Sequence, residues 1–106
     1  FNMQIEIAAK CLAELGHPTR LQIFRSLVKE GNQGAPVGDL QSTLDIPGST
    51  LSHHITRLIS VGLISQRREG RTLFCIAQYE KLNELMSYLQ DECCINEKDD
   101  ANTQCV

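Results

Sequence analysis

The sequence predicts a mainly α, α+β domain of five helices with a two-stranded β-hairpin between the fourth and the fifth. Three observations carry that prediction. Leu and Ile recur at helical spacing through most of the chain, and the period shifts to short β-compatible runs only around residues 63–77. Aromatic residues make up 5% of a chain that is 42% hydrophobic, which suits helices packed through aliphatic side chains better than an aromatic-rich sandwich. A length of 106 residues leaves room for one hydrophobic core. A domain this small buries a limited share of its surface, so a partner subunit is expected.

In residues 4–15 the apolar Ile5, Ala8, Ala9, Leu12 and Leu15 are helically spaced, and Gly16 stops the helix. Pro18 suits the first turn of the second helix, where its missing N–H costs nothing; Leu21, Phe24, Leu27 and Val28, with Ile23 beside them, form its buried stripe. Residues 30–38, with Gly31, Gly34 and Pro36, read as a loop. A short third helix is expected over residues 38–44, with Leu40 and Leu44 inward, and Ile46-Pro47-Gly48 breaks it. The fourth helix runs over residues 49–61 on Leu51, Ile55, Leu58 and Ile59, and Gly62 ends it in left-handed geometry. Residues 63–68 and 72–77 flank Glu69-Gly70-Arg71 as a hairpin. Leu82, Leu85, Met86 and Leu89 mark a fifth helix over residues 79–92. Residues 1–95 thus form the domain, and residues 96–106 an acidic tail expected to be mobile. The chain begins at Phe1 rather than Met, so the native start is expected to lie upstream.

The net charge of −3 hides a division along the chain. Residues 1–45 carry −1, residues 46–78 carry +3 from Arg57, Arg67, Arg68 and Arg71 against Glu69, and residues 79–106 carry −5. The basic middle is the candidate nucleic-acid face. No apolar run approaches the roughly 20 residues of a membrane span, and no secretory signal is present. The five cysteines, an odd number, argue against a disulfide framework and for reduced thiols in the cytoplasm, as core fillers, metal ligands or redox sensors.

Two helices joined by a tight break, followed by an arginine-tipped hairpin, form a winged helix-turn-helix device. A helix fits the major groove of double-stranded DNA while the hairpin reaches neighbouring phosphates or the minor groove. Ser49, Thr50, Ser52, His53 and Arg57 lie on the outward face of the fourth helix, and Arg67, Arg68 and Arg71 supply charge for phosphate. The bland alternative is a solvated helix face beside a surface hairpin; the coincidence of helix pair, break, basic hairpin and local charge favours DNA.

Leu15-Gly16-His17-Pro18-Thr19-Arg20-Leu21, Ser49-Thr50-Leu51-Ser52-His53-His54-Ile55, Gly62-Leu63-Ile64 and Arg67-Arg68-Glu69-Gly70-Arg71 resemble the ArsR-type metalloregulatory repressors, over residues 5–92. The resemblance implies a homodimer through the first and last helices, operator binding without ligand, and release by an inducer. It also implies that His54 is a structural histidine packed against the fold. Two of the family's inducer sites are missing here. Where the arsenite site has Cys-Val-Cys-Asp-Leu, this chain has Pro36-Val37-Gly38-Asp39-Leu40, and residues 79–95 contain no histidine for the zinc site of the last helix.

Cys75 on the second wing strand and the Cys93-Cys94 pair after the fifth helix remain. Thiolates select soft partners, and two or three cysteines without histidine fit tetrahedral zinc poorly. Trivalent arsenic takes up to three sulfurs, and a methylated arsenic has two positions left. Within the family this cysteine placement looks like the branch responding to trivalent arsenicals, so methylarsenite or arsenite is the expected inducer and no permanent cofactor is expected. A fifth helix of 14 residues is roughly 21 Å long and separates Cys75 from the pair. The antiparallel last helices of the family's dimer would bring Cys75 of one chain towards Cys93 and Cys94 of the other, in two bridging sites. Cys11 reads as a core or interface filler, and Cys105 as a spare sulfur in the tail. Two other readings stay open: a redox repressor closing a disulfide between Cys75 and one of the pair, and a thiol enzyme. The enzyme needs a base near the reactive thiol, but His17, His53 and His54 all lie far from the pair in sequence.

Overall fold

Prolines and glycines set most of the boundaries in the computed structural model, which describes residues 3–97. The chain runs α1 (Ile5–Leu15), α2 (Pro18–Glu30), a single 3-10 turn (Gly31–Gln33), β1 (Ala35–Pro36), α3 (Val37–Leu44), α4 (Gly48–Ser60), β2 (Ile64–Glu69), β3 (Thr72–Ala77) and α5 (Tyr79–Gln90). Pro18 occupies the first position of α2, and the Thr19 N–H donates to His17 Nδ1 at 3.2 Å, satisfying an otherwise unpaired end group. Gly62, at φ 78°, closes α4 with paired bonds: its N–H donates to Ile59 O at 2.9 Å and the Leu63 N–H to Leu58 O at 3.1 Å. This is the glycine-terminated cap expected there.

The core gathers Ile23 and Leu27 from α2, Leu51 and Leu58 from α4, Leu63 and Ile64 entering the sheet, and the two small thiols Cys11 and Cys75. Cys11 is a core filler, as expected, and its thiol donates to Val61 O at 3.7 Å. Tyr79 pins the start of α5 to the end of α2 by donating to Val28 O at 3.0 Å and Leu27 O at 3.3 Å.

Three features correct the expectations from sequence. The sheet has three strands in the order β1-β3-β2, not two, because Ala35 pairs with Cys75 and Pro36 with Phe74. The segment that brings β1 there turns on Gly34 (φ 73°), whose absent Cβ would lie 2.2 Å from Cys75 O. Second, α1 buries Ala8, Cys11 and Glu14, whereas Ile5 and Leu12 are exposed. Periodicity identifies an amphipathic helix but not which face meets this chain's own core. Third, α5 ends at Gln90, two residues early, so Cys93 and Cys94 lie in turns beyond it, with Glu92 and Cys94 at positive φ. Their Sγ atoms lie 3.4 Å apart instead of splaying as helix neighbours would. Residues 98–106, with Cys105 and most of the expected tail, lie outside the described residues.

Candidate nucleic-acid interface

Pro47 gives the first turn of α4 no side-chain cap, so the N–H groups there have no capping partner from that residue. Ser49, Thr50, Ser52, His53 and Arg57 are all exposed on α4, as expected, and Leu51, Ile55 and Leu58 hold the opposite face to the core. Thr56 is exposed as well and extends the Ser49–Ser52 row by one turn. It is not among the residues expected from sequence, although its i, i+7 spacing from Ser49 is the signal that could have found it.

His54 is buried at 6% exposure and accepts from Arg20 Nε at its Nδ1, 3.2 Å away, in keeping with a packed structural histidine. Its neutral form therefore carries the proton on Nε2. Burial holds its pKa below the ordinary 6.5, with the neighbouring His17, whose ring centroid is 4.7 Å away, and Arg20 acting in the same direction. Because the folded value is depressed, the unfolded chain binds more protons below pH 6.5, and stability falls as pH drops through that window. Thermal melts between neutral pH and pH 5 should show Tm declining. The decline should flatten in His54→Asn, whose side-chain oxygen still accepts from Arg20 but does not titrate. A parent Tm independent of pH in this range would contradict the assignment.

The arginines divide into bound and outward-facing sets. Arg57 donates to Glu14 through Nε (3.1 Å) and Nη2 (2.8 Å), so it is committed to α1 and not simply outward. Arg67 is braced three ways: Nε to Glu69 Oε2 at 2.6 Å, Nη2 to Gln33 O at 3.1 Å, and its guanidinium 4.9 Å from the centre of the Phe74 ring. It ties the wing to the turn before β1. Arg68 and Arg71 are exposed, and among the described residues neither has an ion-pair partner. Arg71 sits with Gly70 in the two-residue turn between β2 and β3.

If the wing touches phosphate through these two residues, Arg71→Gln lowers the magnitude of the log–log salt slope of duplex binding by about 0.9 for each phosphate no longer neutralised. Arg67→Gln acts mainly on wing stability. Anisotropy titrations across a salt series would show this, and equal slopes for parent and Arg71→Gln would remove the wing tip from the interface.

The thiols are divided too. Cys75 is fully buried in the middle of the sheet, between Ala35 and Gln66, with Gln66 Nε2 donating to its Sγ at 3.6 Å. Burial pushes its pKa up, opposed by the Gln66 hydrogen bond, so the thiol form is favoured. Cys93 is exposed and Cys94 half-buried. Among the described residues of one chain no three His, Cys, Asp or Glu side chains converge, so Cys75 is not brought to the pair. No described helix is long and apolar enough to cross a membrane.

Comparison with known proteins agrees with this geometry. Residues 15–67, from the end of α1 into β2, match the family described as "Helix-turn-helix domain". The nodulation protein NolR of Rhizobium meliloti is 34% identical over 86 residues, covering 81% of this chain and 68% of NolR. The structure of an ArsR-like transcriptional regulator from Rhodococcus sp. RHA1 superposes with a TM-score of 0.70 at 22% identity, covering 80% of this chain and 77% of that one. The homodimeric winged helix-turn-helix DNA-binding domain Mb0332 of Mycobacterium bovis superposes at 0.65 with 24% identity, covering 91% and 89%. With its helix pair, outward polar row and basic wing, this chain belongs to the ArsR family of winged helix-turn-helix transcriptional regulators.

Proposed function

We propose that the chain is a homodimeric repressor that leaves its operator when a trivalent arsenical binds its thiols, methylarsenite through two and arsenite through all three of Cys75, Cys93 and Cys94. The observation that carries this reading is the 3.4 Å separation of the Cys93 and Cys94 Sγ atoms in an exposed turn, a span suited to two sulfurs on one arsenic. Methylarsenite has two exchangeable hydroxyls. Each As–S bond formed releases one of them as water together with the thiol proton, and arsenic keeps its oxidation state. Arsenite has a third position, which Cys75 would fill.

The burial of Cys75 gives the third bond a consequence. Reaching it requires β3 to part from Ala35 or Gln66, and β3 with β2 forms the wing. An inducer captured by the pair and then by Cys75 thus does work on the DNA-facing hairpin. The exposed apolar face of α1 and α5, formed by Ile5, Leu12, Met86 and Leu89, supports dimerisation through those helices. The pairing of one chain's Cys75 with the other's Cys93 and Cys94 rests on that dimer.

The same 3.4 Å approach favours a second reading, release by oxidation. Loss of two electrons and two protons to a peroxide would close Cys93 on Cys94, and the buried Cys75 is the poorer partner. Anisotropy of a bound duplex titrated with methylarsenite, arsenite, antimonite, zinc and peroxide, each followed by intact-mass measurement, tests both readings. An added arsenical supports the first and a loss of two hydrogens the second. Release by zinc alone would defeat both.

A further inference from the structure

The carboxylate of Glu14 on α1 is buried at 8% exposure and holds two guanidinium groups from two other helices. Arg57 of α4 forks onto both its oxygens, at 3.1 Å and 2.8 Å, and Arg20 of α2 donates to its Oε1. Arg20 also reaches α4 directly, donating to His54 Nδ1 at 3.2 Å. The recognition helix is therefore gripped at positions 54 and 57, one turn apart on the side that faces α1 and α2. Thr50, His53 and Thr56 remain on the outward side.

A helix packed only through Leu51, Ile55 and Leu58 can rotate by small angles at little cost. A two-pronged ion pair is directional and resists that rotation. The Arg57 fork keeps the Glu14 carboxyl below its ordinary range despite burial, so the grip is ionic at neutral pH.

We infer that Glu14 and Arg57 are positioning residues for DNA reading: the fork sets the rotation of α4 against α1, and Arg57 makes no phosphate contact of its own. The inference rests on the DNA-binding reading of the fold and adds to it a pair of residues that touch no base. A phosphate ligand and a positioning residue leave different marks on binding. Removing the first lowers the salt slope and weakens all duplexes alike. Removing the second leaves the slope alone and weakens only the duplex whose bases are read.

The test uses a duplex that the parent protein selects from a random-sequence pool, a scrambled duplex of the same length, and the full chain carrying Arg57→Gln. The Arg57 side chain is half exposed, so its replacement leaves the core intact. Arg57→Gln is expected to bind the selected duplex about tenfold more weakly at every salt concentration. It should keep the parent slope and bind the scrambled duplex as the parent does. Arg57→Lys, able to restore one of the two prongs, should recover part of the affinity.

A slope reduced by about 0.9, with both duplexes weakened equally, makes Arg57 a phosphate ligand and overturns the inference. Unchanged binding to both duplexes overturns it as well, since the fork then positions nothing. A parent that selects no duplex overturns the DNA reading itself, and this inference falls with it.

Discussion

Gly34→Ala is expected to destabilise the domain by about 3 kcal/mol, the largest effect among its glycines, since no other has so close a neighbour at the Cβ position. Two costs combine. The residue sits at φ 73°, where an L side chain is strained, and its new Cβ would lie 2.2 Å from Cys75 O and 2.7 Å from Ile76 Cγ1. The first of these neighbours is backbone in the central strand, so relief requires β1 and β3 to separate. A side chain at the end of a flexible stem could give way; a paired carbonyl cannot without breaking the sheet. Gly38→Ala is the matched control, because nothing lies within 4 Å of its Cβ position and it falls inside α3. There alanine should be neutral or stabilise by up to about 1 kcal/mol. Urea melts of the two variants decide the matter, and equal midpoints would show that β1 does not hold the wing in place.

The second large effect concerns the inducer. A repressor that swings from 99:1 bound to 1:99 bound needs a ligand that prefers the released form by about 10⁴-fold. On the arsenical reading, bonds to sulfur supply that preference. Cys93→Ser/Cys94→Ser is therefore expected to hold the selected duplex through a methylarsenite titration that dissociates the parent fully. Cys75→Ser should weaken the response to arsenite more than to methylarsenite, because arsenite has the third position to fill. A mixed dimer of one Cys75→Ser chain and one Cys93→Ser/Cys94→Ser chain should keep one of two bridging sites and hold one arsenite through three sulfurs. Arsenite held there by two sulfurs alone would place each site within a single chain. Release of the double-serine variant at the parent's methylarsenite concentration would end the arsenical reading.

Local patterns along the chain reveal most of the architecture. The 3.6-residue spacing of Leu51, Ile55 and Leu58, the Pro47 break and the Gly62 terminator place α4 to within a residue of its observed bounds. What they do not disclose depends on residues far apart in the chain. Arg57 reads as an outward cation until Glu14, 43 positions earlier, captures it. Arg67 reads as a wing-tip charge until Gln33 and Phe74 brace it. β1 is two residues long and includes a proline, below any periodic signal, and only Cys75 and Phe74 opposite make it a strand. The α1 stripe is visible, but the small side chains of Ala8 and Cys11, not the larger Ile5 and Leu12, fit against the other helices. The cysteine pair is legible as a pair; its close approach comes from a helix that stops early and a left-handed turn.

Strand β2 is one rim of the sheet: β3 pairs along one side of it, and among the described residues no strand covers the other. A bare rim of unsatisfied N–H and C=O groups invites strands from neighbouring molecules, and charges along it discourage such stacking. Arg67, Arg68 and Glu69 occupy its outer half. Stripping both arginines from the strand would therefore invite self-association, and precipitated protein imitates lost DNA affinity in a binding assay. Arg71 stands in the turn beyond the paired residues, so its removal leaves the rim guarded.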